Sequence, residues 1–261
     1  MAPATGRMSS SKPNLMQQGR HIRTIFKAPA GAQFWSFDYA QGELRLAASI
    51  SRDPAMLAAF QGENPVDLHE ALRQQTYRES GTLVDRPVVK TFNFEQLYFG
   101  GARTGRRILA VARSFISQET AEAMVLAHTN LFRVYRKNAE ERMAEADRQG
   151  YAETLDGRRR YLPELRSHDP DVRGNALRAA GNHGIQGTLA DMIKKATRKA
   201  VGVWRETQAH HSIQAHDELC GWVGGDVVRL MQGMEEAMYV EMEVPLVAEG
   251  HVGRNWAEAK G

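Results

Sequence analysis

Arg86-Pro87-Val88-Val89-Lys90-Thr91-Phe92-Asn93-Phe94-Glu95-Gln96-Leu97-Tyr98 is the stretch around which the chain is organised. Asp85 is placed to cap a helix there, and Pro87 falls in the first turn, where its missing N–H is no loss. Arg86, Lys90, Phe94 and Tyr98 recur at every fourth position. Each such step advances about 400°, so the four side chains drift by only ~40° per step around one side of the helix. That side carries two cations, then two rings. Cations beside the positive end of a helix dipole are locally unfavourable, and become favourable when a polyanion docks on the free N–H groups. Rings further along would meet the flat part of the same ligand. Phosphates first and a base next describe a nucleoside triphosphate. An amphipathic helix with Phe and Tyr in a core and Arg and Lys at its rim gives the same spacing. The stretch lacks the glycines of a phosphate loop.

Outward from this helix the pattern is helical in both directions before it turns to strands. On the N-terminal side, Asp67-Leu68-His69 opens a helix, a short one covers Pro54 to Phe60, and Glu43 to Arg52 has helical periodicity. Before them, Gln33-Phe34-Trp35-Ser36-Phe37-Asp38-Tyr39 is an aromatic-rich buried strand. The first ~30 residues are rich in Gly, Ser and Pro and read as turn-laden backbone. On the C-terminal side, Gly100-Gly101 and a basic loop precede a long helical region from Gln118 to Gln149 with a break. Asp156-Gly157 then marks a hairpin, and helices follow over Asp171 to Ala180 and Gln186 to Trp204. His211 to Ala215 and Leu219 to Val223 read as two strands joined by His216-Asp217-Glu218. A helix from Gly225 to Met238 and a strand from Val240 to Val247 complete the pattern. Strands at both ends around a helical middle imply an α+β fold, a sheet interrupted by a large helical insertion.

The chain has 261 residues, 25% charged and 42% hydrophobic, which is globular composition with ample core. The formal net charge is only +3, but cations concentrate at Arg86, Lys90, Arg103, Arg106, Arg107 and Arg113. Arg158-Arg159-Arg160 and Lys194, Lys195, Arg198 and Lys199 form further clusters, whereas Glu235, Glu236, Glu241 and Glu243 make the end acidic. This suits a local polyanion track. Cys220 is the only cysteine, excluding an internal disulfide and a cysteine-based zinc site. No apolar leader and no membrane-length run is present, so the chain reads as cytosolic.

Two acids sit at strand ends, Asp38 and Asp217. If the strands are neighbours, the carboxylates repel, and a divalent cation resolves the repulsion. Two Mg²⁺ ions on such a pair form a clamp for in-line phosphoryl transfer. Spacing alone leaves open whether the two acids meet.

Asp38-Tyr39-Ala40-Gln41-Gly42-Glu43-Leu44-Arg45 resembles motif A of family A (polymerase I-like) DNA polymerases. Arg86 to Tyr98 resembles motif B, their fingers helix, and Ala215-His216-Asp217-Glu218 resembles motif C. Thr5-Gly6-Arg7-Met8-Ser9-Ser10 is similar to the segment opening the palm. Arg178 through Asn182 to Gln186-Gly187-Thr188 and Gly253-Arg254-Asn255-Trp256 are similar to further family segments. The resemblance covers nearly the whole chain. It implies a palm of antiparallel sheet and packed helices from residues 1–45 and 173–261, with fingers from residues 46–172. It implies a DNA-templated DNA polymerase core in the bacterial or phage-infected cytoplasm, associated with the nucleoid. Asp38 and Asp217 would bind two Mg²⁺ ions, with Glu218 in the same motif. Arg86, Lys90 and His69 would grip dNTP phosphates, Lys90 also serving as acid for pyrophosphate. Phe94 would pack on the nucleotide, with Tyr98 and Glu43 closing the sugar pocket. Arg7, Arg178, Asn182, Gln186 and His216 would contact primer–template DNA, joined by Asn14 and Gln41 on the same surface.

Three departures bear on this. Gly42 stands where a bulky aliphatic is usual, implying a looser pocket. Glu95 and Phe99 replace small or glycine positions, and Glu95 adds negative charge near the triphosphate. The chain begins at the palm, without thumb or exonuclease, so the expectation is a polymerase core that is either minimal or one part of a split enzyme whose thumb or exonuclease lies on a separate polypeptide. The alternative is a non-catalytic DNA- or partner-binding remnant.

Overall fold

The computed structural model describes residues 4–62, 65–111 and 113–260. An irregular opening with one helical turn, α1 (Arg20–Arg23), leads to strand β1 (Gln33–Tyr39). Helices follow: α2 (Gly42–Ser51), α3 (Pro54–Leu57), α4 (Leu68–Ser80), α5 (Arg86–Gln96), α6 (Ala102–Val111), α7 (Gln118–Leu131) and α8 (Arg133–Gln149). A hairpin of β2 (Tyr151–Glu153) and β3 (Arg159–Tyr161) precedes α9 (Pro170–Asn182), a π turn over His183–Gly187 and α10 (Thr188–Glu206). Then come β4 (Ala209–Ala215), β5 (Glu218–Val223), α11 (Val227–Met238), β6 (Ala248–Gly253) and α12 (Trp256–Ala259). The chain divides into two compact units, Met1–Leu46 with Gln186–Gly261, and Ala47–Ile185. The second division follows Ile185, whereas the boundary expected from sequence, 172/173, falls inside α9.

In the first unit, four antiparallel strands run in the order β4-β5-β1-β6. β1 is thus an interior strand, buried on both faces, which is why its sequence is almost continuously apolar. Trp35 faces helix α10, stacking on Trp204 with ring centroids 6.1 Å apart. Phe34 faces the other way, into a cluster with Ile213, Ala215, Cys220 and Trp256. Ser36 and Asp38 share the Phe34 face by strand alternation.

The second unit is helical apart from the β2–β3 hairpin, whose turn Gly157 takes with φ +77°. One core gathers Leu72, Val89, Phe92, Leu109 and Met124 from α4 to α7. Another joins Ala146, Leu162, Leu165 and Ala176. The break expected between residues 118 and 149 falls at Phe132, and Asp53 Oδ2 caps the new helix by accepting from Val134 N and Tyr135 N at 2.9 and 3.0 Å.

Several local expectations are corrected. The segment 240–247 forms no strand: Val240 and Leu246 make a single bridge, and Pro245 has no N–H to extend it. The partner of β1 is instead Ala248–Gly253, an edge strand without apolar alternation. The basic loop after Gly101 is helix α6, whose Gly105 and Leu109 face the core while Arg103, Arg106 and Arg107 are exposed. Asp85 occupies the N-cap position of α5 but makes no side-chain cap bond, and α5 ends at Gln96, before Tyr98.

Candidate active site

Strand register decides whether the two acids meet. β1 and β5 pair antiparallel with Asp38 opposite Glu218, and β4 and β5 close with Ala215 opposite Glu218. His216 and Asp217 are left as a two-residue turn, with His216 at φ +57°. The turn therefore sets Asp217 beside the end of β1. Burial, and then the charge of Asp38, push the Asp217 carboxyl well above the usual carboxylate range; Glu43 adds to this and Arg7 opposes it. The Tyr39 hydroxyl is buried, and its pKa is raised by that burial and by Asp217. Asp38 Oδ1 is buried without a hydrogen-bond partner. Asp38 also lines a cavity of about 270 Å³ with Gln41, Glu249, His251 and Lys260.

Glu218 differs from its neighbour. It is only 2% exposed, and its Oε1 accepts from Ser36 Oγ and Trp256 Nε1, both at 2.6 Å. Its Oε2 faces Lys260 Nζ at 3.0 Å and Arg23 Nη1 at 3.7 Å. Lys260 Nζ also donates to Asp38 Oδ2. Burial works against the Lys260 charge, and Asp38 and Glu218 more than offset it, leaving its pKa raised.

Around this centre, Arg7 and Glu43 pair with each other, Nη2 to Oε1. Gln41 holds the turn between β1 and α2 at φ +52°. Asn14 is exposed and caps a 3-10 turn by accepting from Met16 N at 3.0 Å. His216 is exposed at the tip of the β4–β5 hairpin. Beside Gly42 the space is taken: an added Cβ would lie 3.1 Å from Tyr39 Cβ and 3.2 Å from Leu189 Cδ1. A side chain at position 42 would therefore press on Leu189.

In the helical unit, Val89, Phe92, Asn93 and Gln96 of α5 face the core, which leaves Arg86, Lys90 and Phe94 on its outer side. Arg86 donates to Asp67 Oδ2 from Nε at 3.0 Å and from Nη2 at 2.5 Å. Lys90 is exposed. His69 is held by Asn93, Nδ2 to Nδ1 at 3.1 Å, and its ring is tilted against Phe94 at 5.8 Å. Its pKa is lowered by burial, which Asp67 opposes, and then by Lys90 and Arg86. Arg86, Lys90, His69 and Phe94 are therefore one group. Tyr98 lies beyond the helix, its N–H on Glu95 O at 3.0 Å. Glu95 is buried, its Oε2 accepting from Gln96 Nε2 at 2.6 Å. Arg178 and Asn182 lie one turn apart on α9, Arg178 bonded to Asn175 Oδ1 at 2.6 Å and Asn182 Oδ1 buried without a partner. Gln186 is half-buried in the π turn that follows.

Sequence reasoning gives no role at the site to Lys260, Ser36, Arg23 or Trp256, which carry no local signal for it and are brought there by the sheet, α1 and α12. Among the described residues no group of three or more His, Cys, Asp and Glu side chains is arranged to hold a metal ion. Two hard oxygen ligands that repel each other nevertheless fit Mg²⁺, which keeps several waters and takes one or two carboxylates plus substrate phosphates. Among the described residues no helix is long and apolar enough to cross a membrane.

Comparison with known proteins gives a consistent picture. The family model described as DNA polymerase family A matches residues 1–258. DNA polymerase I of Pseudomonas aeruginosa is 35% identical, covering 98% of this chain and 29% of that protein. The thermostable DNA polymerase I of Thermus aquaticus is 36% identical, covering 99% of this chain and 32% of that protein. The chain thus spans about a third of the length of these relatives. The POL domain of Pol1 from M. smegmatis, solved in complex with DNA primer-template and dNTP, superposes with a TM-score of 0.83 at 30% identity, over 99% of this chain and 47% of that one.

Proposed function

The chain belongs to DNA polymerase family A, and from that premise we propose that it is the palm and fingers of a DNA-templated DNA polymerase. It adds dNTPs to a primer 3′-OH, in the bacterial cytoplasm on nucleoid DNA. The sheet-bearing unit serves as palm and the helical unit as fingers. The observation that carries this reading is the pair Asp38 and Asp217: the first closes β1, the second sits in the turn of the adjoining β4–β5 hairpin, and the charge of Asp38 adds to the cost of ionising Asp217. Asp38 Oδ1, buried without a partner, is a ligand in waiting. Bound at this pair, two Mg²⁺ ions would supply the acidity that activates the 3′-OH and the charge that neutralises pyrophosphate.

The chain's own residues do the rest. Arg86, Lys90 and His69 receive the triphosphate, Arg86 leaving Asp67 to do so, with Lys90 as proton donor to pyrophosphate. Neutral His69, its pKa lowered by burial, donates one hydrogen bond and adds no third cation. Phe94 packs on the nucleotide, and Tyr98 and Glu43 close on its sugar. Arg7, Arg178, Asn182, Gln186 and His216, with Asn14 and Gln41 beside them, line the primer–template track. Glu218 is a positioning residue, its oxygens already committed to Ser36, Trp256 and Lys260.

Primer extension with Mg²⁺ and dNTPs, run alone and with thumb-bearing polypeptides, tests the proposal. Asp217→Asn is expected to lower extension on the order of 10³-fold, about 4 kcal/mol of barrier. Extension by the variant at the wild-type rate would refute the role of the pair.

A further inference from the structure

The palm reading gives Lys260 no task. Lys260 follows α12, and its ammonium lies 2.5 Å from Asp38 Oδ2 and 3.0 Å from Glu218 Oε2. This is no loose surface pair. The Glu218 side chain is 3% exposed, and the segment that delivers Lys260 is capped and packed. Asn255 caps α12 by accepting from Glu258 N at 3.1 Å. Trp256 is fully buried, donates to Glu218 Oε1, meets Phe26 edge-on at 5.5 Å and lies 4.4 Å beneath the Arg23 guanidinium. The lysine is thus aimed at Asp38 by a hydrogen-bonded and packed base.

The two acids it bridges are unequally committed. Glu218 has Ser36 and Trp256 on one oxygen and Lys260 and Arg23 on the other. Asp38 has Lys260 on Oδ2 and nothing on its buried Oδ1. Glu218 is therefore complete without a metal, and Asp38 is complete only on the side that Lys260 occupies.

We propose, resting on the divalent-ion reading of Asp38 and Asp217, that Lys260 is the resident counter-cation of the site. It is a positioning residue that holds Asp38 against its like-charged neighbour while no metal is bound. It also competes with the divalent ion for the Asp38 carboxylate, because two cations that share one carboxylate repel. Glu218 retains the ammonium close by when the competition is lost. Lys260 thereby sets the metal concentration at which the acid pair loads.

Mn²⁺ binding to the full chain without DNA, followed by electron paramagnetic resonance, tests this independently of activity. Lys260→Met is expected to bind Mn²⁺ ~10-fold more tightly than wild type, since a nearby like charge is gone; Lys260→Arg is expected to stay near wild type. Melting in EDTA should show Lys260→Met less stable than wild type, with Mn²⁺ narrowing the difference. Lys260→Gln, also neutral, carries the same expectations if the Met variant does not fold. Equal or weaker Mn²⁺ binding by the neutral variants, with wild-type binding intact, overturns the role of Lys260. Absence of any wild-type Mn²⁺ site abolished by Asp217→Asn overturns the acid-pair reading itself, and this inference with it.

Discussion

Glu95 shows how one side chain can be placed against its own charge. Its carboxyl is folded over Gly100, where an added Cβ would fall 1.1 Å from Oε1, and it is buried. Burial raises its pKa from 4.5 to about 7, against the opposing hydrogen bond from Gln96. The folded chain therefore holds a proton on Glu95 that the unfolded chain has released. Stability from this group is full below pH 4.5 and is lost as pH rises to 7, by up to about 3 kcal/mol. Glu95→Gln should accordingly gain ~1–3 kcal/mol at pH 8 and little at pH 4.5. Urea melts at the two pH values check this, and an equal gain at both would reject it. The negative charge expected near the triphosphate is thus a carboxyl turned into the fold. The sequence showed Glu95 as an oddity, but its burial depends on Gly100 and Gln96 in three dimensions. Local signals place Asp38 at a strand end and Asp217 in a turn, but say nothing of whether the two approach. Lys260 was not, since it reaches Asp38 across 222 positions of sequence.

At the scale of elements, what could be read was what repeats. β1, α4, α5, α10 and the β4–β5 pair announce themselves through alternation, helical spacing or caps. β6 does not, because its residues, Ala-Glu-Gly-His-Val-Gly, are chosen to let β1 pass rather than to fill a core. Gly250 is the sharpest case: an added Cβ would fall 2.1 Å from Phe37 Cε1. Gly250→Ala should destabilise by ~1–3 kcal/mol through overpacking. Gly202→Ala, exposed in α10 with nothing within 4 Å of the new Cβ, should instead stabilise by up to ~1 kcal/mol. Denaturant titrations of the two variants give opposite signs if strand packing, and not glycine content, is what β6 needs. α6 was missed for a related reason: Gly100-Gly101 and Gly105 read as loop, yet Gly105 is where Phe92 comes within 2.3 Å of an added Cβ.

For the whole molecule, the α+β plan was visible from strands at both ends of the sequence, whereas the strand order was not. Periodicity says that a strand is buried, never which neighbour it pairs with. The exposed cations follow the same logic, since composition gave clusters and only the fold shows Arg103, Arg106 and Arg107 on one exposed helix. If such residues meet DNA phosphates, each contact steepens the dependence of log K on log salt by about 0.9. With these three in contact, duplex binding by the isolated chain is expected to show a slope of about −2.7. Fluorescence anisotropy across a salt series measures it, and a flat response would exclude a phosphate track.

The interior place of β1 also carries a cost during synthesis. Ser36 and its partner Glu218 are 182 positions apart, and β6 emerges later still. At about 5–20 residues per second, Phe34, Trp35 and Phe37 leave the ribosome roughly ten to forty seconds before either flanking strand exists. The helical middle can fold in that interval, but this aromatic ribbon has both edges bare, an open template for another nascent chain. The seven residues of β1 thus wait longest for their partners, and the centre of the sheet is completed only when the end of the chain has been made.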